Sequence, residues 1–293
     1  MKASANGIEI EYEALGRPEH PPMLLIMGLG SQMILWDDDF CRLLVERGFR
    51  VIRFDNRDVG LSTKIHAAGR PDVVEAFLAR QAGRPVPAPY TLADMAGDTV
   101  GLLDALRIVA AHVVGVSMGG MIGQEMAIGH PTRVLSLASL MSTTGEPGLP
   151  GPTPEATAVL LEPPPRDRAA YIDRTLRVYR VIGSRGFPFD EPWICERAAR
   201  SFDRSFYPVG FARQLVAIWA AGGRRAALGG VRVPTAVVHG REDPLIPLPC
   251  GLDTAAAIAG ARLTVIDGMG HDLPRGAWPQ IVEAIATNAQ SNS

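Results

Sequence analysis

The sequence predicts an α/β protein: a mostly parallel sheet flanked by helices and interrupted once by a helical insertion. Three observations predict it. Apolar strand-like runs alternate with segments of helical period. From Pro165 to about Ala227 the pattern is helical with no good strand, and a buried strand resumes at Val233. One strand runs straight into Gly115-Val116-Ser117-Met118-Gly119, followed by a helical run to Gly129. The chain has 293 residues, 47% of them apolar, enough for one large domain with an insertion or for two small domains.

The elements follow in order. Gly7 to Leu15 alternates Ile8, Ile10 and Tyr12 with Glu9, Glu11 and Glu13, which predicts a half-exposed strand at a sheet edge. Met23 to Met27 is continuously apolar, as in a strand covered on both faces, and ends in Gly28-Leu29-Gly30-Ser31. Trp36 to Arg47 has helical period and Gly48 stops it. Arg50 to Phe54 is the next strand and runs into the polar loop Asp55-Asn56-Arg57-Asp58-Val59-Gly60-Leu61-Ser62. Lys64 to Tyr90 holds one short helical run, Asp72 to Gln81. Thr91 caps a helix through Leu106, with Asp94, Asp98 and Asp104 expected towards solvent or the helix start. Ala110 to Val116, Arg133 to Met141, Val233 to Gly240 and Ala261 to Asp267 are further strands, and Ala277 to Ala289 is a closing amphipathic helix.

Composition excludes several classes. The formal net charge is −2 and no long basic run occurs, so nucleic acid and anionic membranes are not expected partners. No apolar run approaches the roughly 18 residues of a membrane span. The first residues lack the apolar core of a signal peptide, which predicts a cytoplasmic protein. Cys41, Cys195 and Cys250 have neither metal nor disulfide spacing and read as small apolar residues.

The serine turn carries the chemistry. A serine on a sharp strand-to-helix turn sits on a strained backbone with its hydroxyl exposed above the sheet. Gly115 and Gly119 allow the strand and helix to approach. A Gly-rich turn without chemistry would look the same from these residues alone. A nucleotide site fits less well, because no phosphate-binding glycine motif stands at the first strand-to-helix turn. A serine nucleophile needs a base, and the base needs an acid to orient it. In this architecture both follow the serine, acid first, on loops after strands. Of six histidines, only His271 lies on a Gly-rich loop after the last strand. Asp243, before Pro244, is the expected acid, with Glu242 and Asp272 as competitors. The oxyanion of a tetrahedral intermediate needs two N–H donors, expected from Met118 and Leu29, with Gly28 as the alternative to Leu29.

Taken together, Gly28-Leu29-Gly30, Asp55-x-Arg57-x-x-Gly60-x-Ser62, Gly115-x-Ser117-x-Gly119, Asp243 and Gly270-His271 resemble the α/β-hydrolase fold over nearly the whole chain. Within it, Met27-Gly28, Asp55 to Gly60, His112-Val113-Val114-Gly115 and Gly268-Met269-Gly270-His271-Asp272-Leu273-Pro274 resemble the aclacinomycin methylesterase branch. Those enzymes remove a methyl ester from an anthracycline polyketide, and macrolide-lactone esterases share their general plan. The resemblance implies an eight-stranded sheet with a helical lid after strand six. The expected division is a core of residues 1–142 and 230–293 and a lid of 143–229.

The expected reaction is hydrolysis of an ester or lactone through an acyl-enzyme, with Ser117, His271 and Asp243 as the triad and no cofactor or metal. The same triad serves enol-lactonases, C–C bond hydrolases and cofactor-free haloperoxidases or perhydrolases. A ligand receptor with a vestigial triad is the non-enzymatic alternative. Residues 143–229 hold ten of the eighteen aromatic side chains, which predicts a broad apolar ceiling and a bulky polyketide- or macrolide-type substrate. Gly28, Trp36, Met141, Phe187, Trp193, Phe206 and Trp219 are the expected pocket residues.

Overall fold

The computed structural model of the chain describes residues 1–292. Among them eight strands form one sheet: β1 (Lys2–Ala5), β2 (Ile8–Leu15), β3 (Pro22–Ile26), β4 (Arg50–Phe54), β5 (Ala111–Val116), β6 (Val134–Leu140), β7 (Thr235–Gly240) and β8 (Arg262–Ile266). Their order is β1-β2-β4-β3-β5-β6-β7-β8. β1 and β2 pair antiparallel, as do β2 and β4, and every later pairing is parallel. The helices are α1 (Asp38–Glu46), α2 (Val73–Gln81), α3 (Leu92–Ala105), α4 (Met118–Gly129), α5 (Pro154–Leu160), α6 (Arg168–Ile182), α7 (Glu191–Arg204), α8 (Pro208–Ala220), α9 (Arg225–Leu228), α10 (Leu248–Ala257) and α11 (Trp278–Ala289).

The two faces of the sheet explain its continuous apolar strands. Along β3, Leu24 and Ile26 join the core made with α3 and α4, while Met23 and Leu25 join the core made with α1 and α11. Side chains alternate across a strand, so a strand covered on both faces is apolar at every position. Cys41 and Cys250 are buried and Cys195 is half-buried; all three are free. No described helix is long and apolar enough to cross a membrane.

Two expectations are corrected. β2 does not end the sheet, because β1 pairs outside it with Lys2 opposite Glu11 and Ala5 opposite Ile8. Four residues reading Lys-Ala-Ser-Ala have neither the length nor the β-branched content to announce a strand. Asp98 does not face solvent. Its carboxylate is buried and takes both Arg57 Nε and a terminal Arg57 nitrogen at 2.6 Å. The Arg57 guanidinium also lies over the Tyr90 ring, 4.9 Å from its centre. Thr91 caps α3 as expected, in a reciprocal box with Asp94.

Helices α5 to α9 lie between β6 and β7. Buried polar contacts fasten this insertion to the loops after β3 and β4. Arg204 pairs with Asp55 at 2.7 Å and Arg213 with Asp58 at 2.9 Å, both carboxylates being fully buried. Gln32 Nε2 donates to the carbonyls of Ser201 and Ser205 at the end of α7. Asp55 also accepts the Met33 and Leu61 amides, so the Asp55–Arg57 motif pins neighbouring loops as structure.

Candidate active site

β5 leads into Ser117 and α4 leads away from it. Ser117 holds φ 56° and ψ −118°, a sparsely populated conformation that costs about 1–3 kcal/mol in a non-glycine residue. Several bonds hold it there. Ser117 N–H donates to Leu140 C=O at 2.9 Å, and Ser142 Oγ donates to Ser117 C=O at 2.8 Å. The flanking glycines are required sterically. A Cβ on Gly115 would meet the Gly119 carbonyl, and one on Gly119 would meet the Ile26 carbonyl at the end of β3.

His271, on the loop after β8, brings Nε2 to 3.0 Å from Ser117 Oγ. Its Nδ1 lies 2.7 Å from Asp243 Oδ2, on the loop after β7. Asp243 is buried, and its other oxygen accepts the Leu245 and Ile246 amides at 2.9 and 2.8 Å. With Nδ1–H donating to this carboxylate, Nε2 is left to accept from the serine hydroxyl. Glu242 is exposed, and Asp272 bonds Ser184 instead of the imidazole. The three expected residues are therefore in hydrogen-bond contact, and neither competing acid is.

Gly28 lies against the serine: a Cβ there would come within 3.3 Å of Ser117 Cβ. Among the described residues, neither the Leu29 nor the Met118 amide donates a hydrogen bond, whereas Gly30 N–H donates to Gln214 Oε1 at 2.8 Å. The Met118 amide follows Ser117 directly and the Leu29 amide follows Gly28, which lies against Ser117.

Beneath Asp243, the buried His239 gives Nε2–H to Ile246 C=O at 2.7 Å and lies 3.8 Å from Asp243 Oδ2. Burial holds its pKa below the ordinary histidine value, although Ile246 and Asp243 oppose the shift. The remaining histidines lie elsewhere; His112 sits inside β5 and bonds Ser136.

The aromatic pocket residues are largely dispersed. Trp36 is fully buried and stacks on Phe40 in the α1–α11 core, and Met141 is buried in that core. Phe206 packs with Tyr171 and Phe202, and Trp219 with Phe77 of α2. Trp36 thus lies in the core, against the expectation for it, while Phe206 and Trp219 are half-buried beside these rings. Trp193 donates Nε1–H to Asp37 and lies between Arg197 and Arg275. Phe187 lies against Gly276. Phe211, outside the expected set, reaches Gly30 next to the free Leu29 amide.

Sequence reasoning also missed Gln214. This buried side chain on α8 accepts from Gly30 N–H and donates to Arg57 C=O at 2.8 Å, so it ties the loop after β3 to the loop after β4. Its partners lie more than 150 residues away, and no local pattern signals them.

Residues 21–274 match the alpha/beta hydrolase fold family, and the chain belongs to that family. It is similar to the rhodomycin D methylesterase DnrP of Streptomyces peucetius, at 29% identity over 95% of this chain and 94% of the relative. It is 32% identical to the 2-hydroxymuconate semialdehyde hydrolase of Pseudomonas sp. (strain CF600), over 69% of this chain and 67% of that one. Among solved structures, the enol-lactonase from Burkholderia xenovorans LB400 aligns with a TM-score of 0.72 at 26% identity, covering 98% of this chain and 99% of that one. The resemblance to methylesterases drawn from the motifs thus extends over nearly the full length of both chains.

Proposed function

We propose that the protein is a serine esterase that hydrolyses a carboxylic ester or lactone of a bulky, weakly polar substrate through an acyl-enzyme. The observation that carries this reading is the chain of contacts from Ser117 Oγ through His271 to Asp243, at 3.0 and 2.7 Å. Ser117 attacks the carbonyl carbon while His271 takes its proton at Nε2. The free Leu29 and Met118 amides hold the oxyanion, and Asp243 stabilises the charged imidazole. Collapse of the intermediate expels the alcohol, protonated by His271. Water then enters by the same base and releases the acid.

The similarity to a rhodomycin D methylesterase supports a polyketide-type ester. In this reading residues 143–229 act as a lid over a core of 1–142 and 230–293. Phe211 against Gly30 and the Ile182 carbonyl bonded to His271 N–H support that role. The space of about 30 Å³ between α6, α7 and Leu35 is lined by none of the residues around Ser117 and is not taken as the acyl pocket. The reading includes a cytoplasmic setting, which suits three free cysteines.

The test is a screen of purified protein on aryl esters, methyl esters and macrolactones with product masses recorded. Methyl ester cleavage yields an acid and methanol; lactone opening yields one product heavier by a water. Ser117→Ala should lose fluorophosphonate labelling and about a million-fold in kcat. Label retained by the variant would remove Ser117 from its role. Hydrolysis confined to short acyl esters would defeat the substrate half of the reading. Cleavage of a C–C bond instead would favour a C–C bond hydrolase, and tight binding without turnover would favour a receptor.

A further inference from the structure

The loop that carries His271 is fastened to the insertion on both sides of the histidine. His271 N–H donates to Ile182 C=O at 2.7 Å, at the end of α6. Gly186 N–H donates to Gly268 C=O at 2.8 Å. Between these bonds lies Ser184. Its Oγ accepts from Gly270 N–H at 2.9 Å and donates to Asp272 Oδ1, which also accepts Ser184 N–H at 3.0 Å. The two segments touch through glycines. A Cβ on Gly270 would come within 2.6 Å of the Gly183 carbonyl oxygen, and a Cβ on Gly268 would reach Gly186 Cα at that same distance. Gly268 also holds φ 73°, where a side chain is strained.

We propose that Ser184 and Asp272 are positioning residues for His271. Through them the insertion sets the height and tilt of the imidazole over Ser117. The base is then aligned only while residues 182–187 are docked on the loop after β8. This rests on the catalytic reading of Ser117, His271 and Asp243. The physical reason is that the histidine's N–H, the Gly270 N–H before it and the Asp272 carboxylate after it are all bonded to one segment. His271 has no side-chain bond to that segment, so its placement follows the backbone that Gly270 and Asp272 bracket. A shift of about 1 Å at the reacting atoms is enough to lower a rate on the order of a hundred-fold. Neither side chain touches the reacting atoms, so the effect passes through the loop.

The two Ser184 bonds to Asp272 end on one oxygen, which yields a clean comparison. Asparagine presents an acceptor oxygen in the same place, and alanine presents none. The experiment compares Ser184→Ala, Asp272→Ala and Asp272→Asn with the wild type. Turnover of a small aryl acetate, fluorophosphonate labelling rate and thermal unfolding are read for each. Ser184→Ala and Asp272→Ala should lower kcat by about 10- to 100-fold with KM within about threefold, and the labelling rate should fall by the same factor. Asp272→Asn should stay within about threefold of wild type in both. A purely structural fastening would lower the unfolding temperature and leave the labelling rate of the folded protein unchanged, which overturns the proposal. So would an Asp272→Asn variant as slow as Asp272→Ala.

Amide exchange in the wild type keeps the proposal testable if the alanine variants do not fold. The Gly270 and His271 amides should be protected to the same degree as those of residues 184–186, and free-loop exchange at 270–271 would overturn it. A wild type that takes no fluorophosphonate label overturns the catalytic reading itself. Normal labelling in both wild type and Ser184→Ala overturns the positioning role alone.

Discussion

Ser117 adopts a backbone that few non-glycine residues hold, and its surroundings leave it little choice. Leu140 C=O and the Ser142 hydroxyl fix its peptide groups, while Gly115 and Gly119 let strand and helix close around it. Two predictions belong at this scale. Asp243→Asn should preserve the fold and lower kcat by roughly ten-thousand-fold, because the amide no longer enforces the Nδ1–H tautomer. Steady-state kinetics on an aryl ester checks it, and near-normal turnover would remove Asp243 as the acid. Gln214→Met should leave the Gly30 N–H and Arg57 C=O without partners, at about 1–3 kcal/mol for each buried group. If Leu29 is an oxyanion donor, its loop then wanders and kcat falls by about 10- to 100-fold. A variant with lower unfolding temperature but wild-type kcat would separate Gln214 from catalysis.

Among the elements, α3 illustrates how a helix is both announced and misread. Thr91 and Asp94 form the capping box, and Leu92, Met95, Ala96, Thr99, Leu102 and Leu103 are buried. Those residues follow the 3.6-residue period and are legible in the chain. Asp98 sits on the same buried surface and is legible only through Arg57, 41 residues earlier. Removing one partner of a buried pair leaves an uncompensated charge, so Asp98→Ala should destabilise by about 3–5 kcal/mol. Chemical denaturation measures it. A loss below about 1 kcal/mol would mean that water reaches Arg57 once the carboxylate is gone.

The whole molecule brings two buried histidines into one stability argument. Burial holds both His112 and His239 below the ordinary value of 6.5. In the unfolded chain each takes up a proton near that value, so the unfolded state binds more protons as pH drops. Their contribution to stability is complete above pH 6.5 and is lost as pH falls through 6.5 towards the depressed values. Burial moves the Asp272 carboxyl the other way, and its contribution declines as pH rises through its raised value. The unfolding temperature should therefore fall as pH drops below about 6.5, and His112→Gln should flatten that fall. An unchanged slope in the variant would show that other groups carry the pH dependence.

By itself the sequence determined the seven strands β2 to β8 in order, the helical insertion after Met141 and the residues now found in contact at Ser117, His271 and Asp243. These were legible because the signals are local: a period of two or 3.6, a cap, a glycine that a sharp turn demands. The Ser117 turn and the loops after β7 and β8 also occupy fixed places in a strand–helix order, so residues far apart in the chain could be matched. Tertiary structure alone decided the rest. β1 becomes a strand because β2 offers an unpaired edge, Asp98 is buried because Arg57 meets it, and Trp36 fills the core instead of a cleft. The insertion's aromatics divide between their own packing and the loops below them. Gln214 and Ser184 reach partners across 184 and 86 residues. A hydrogen bond between such distant positions leaves no periodicity behind, because neither partner constrains its own neighbours in the chain.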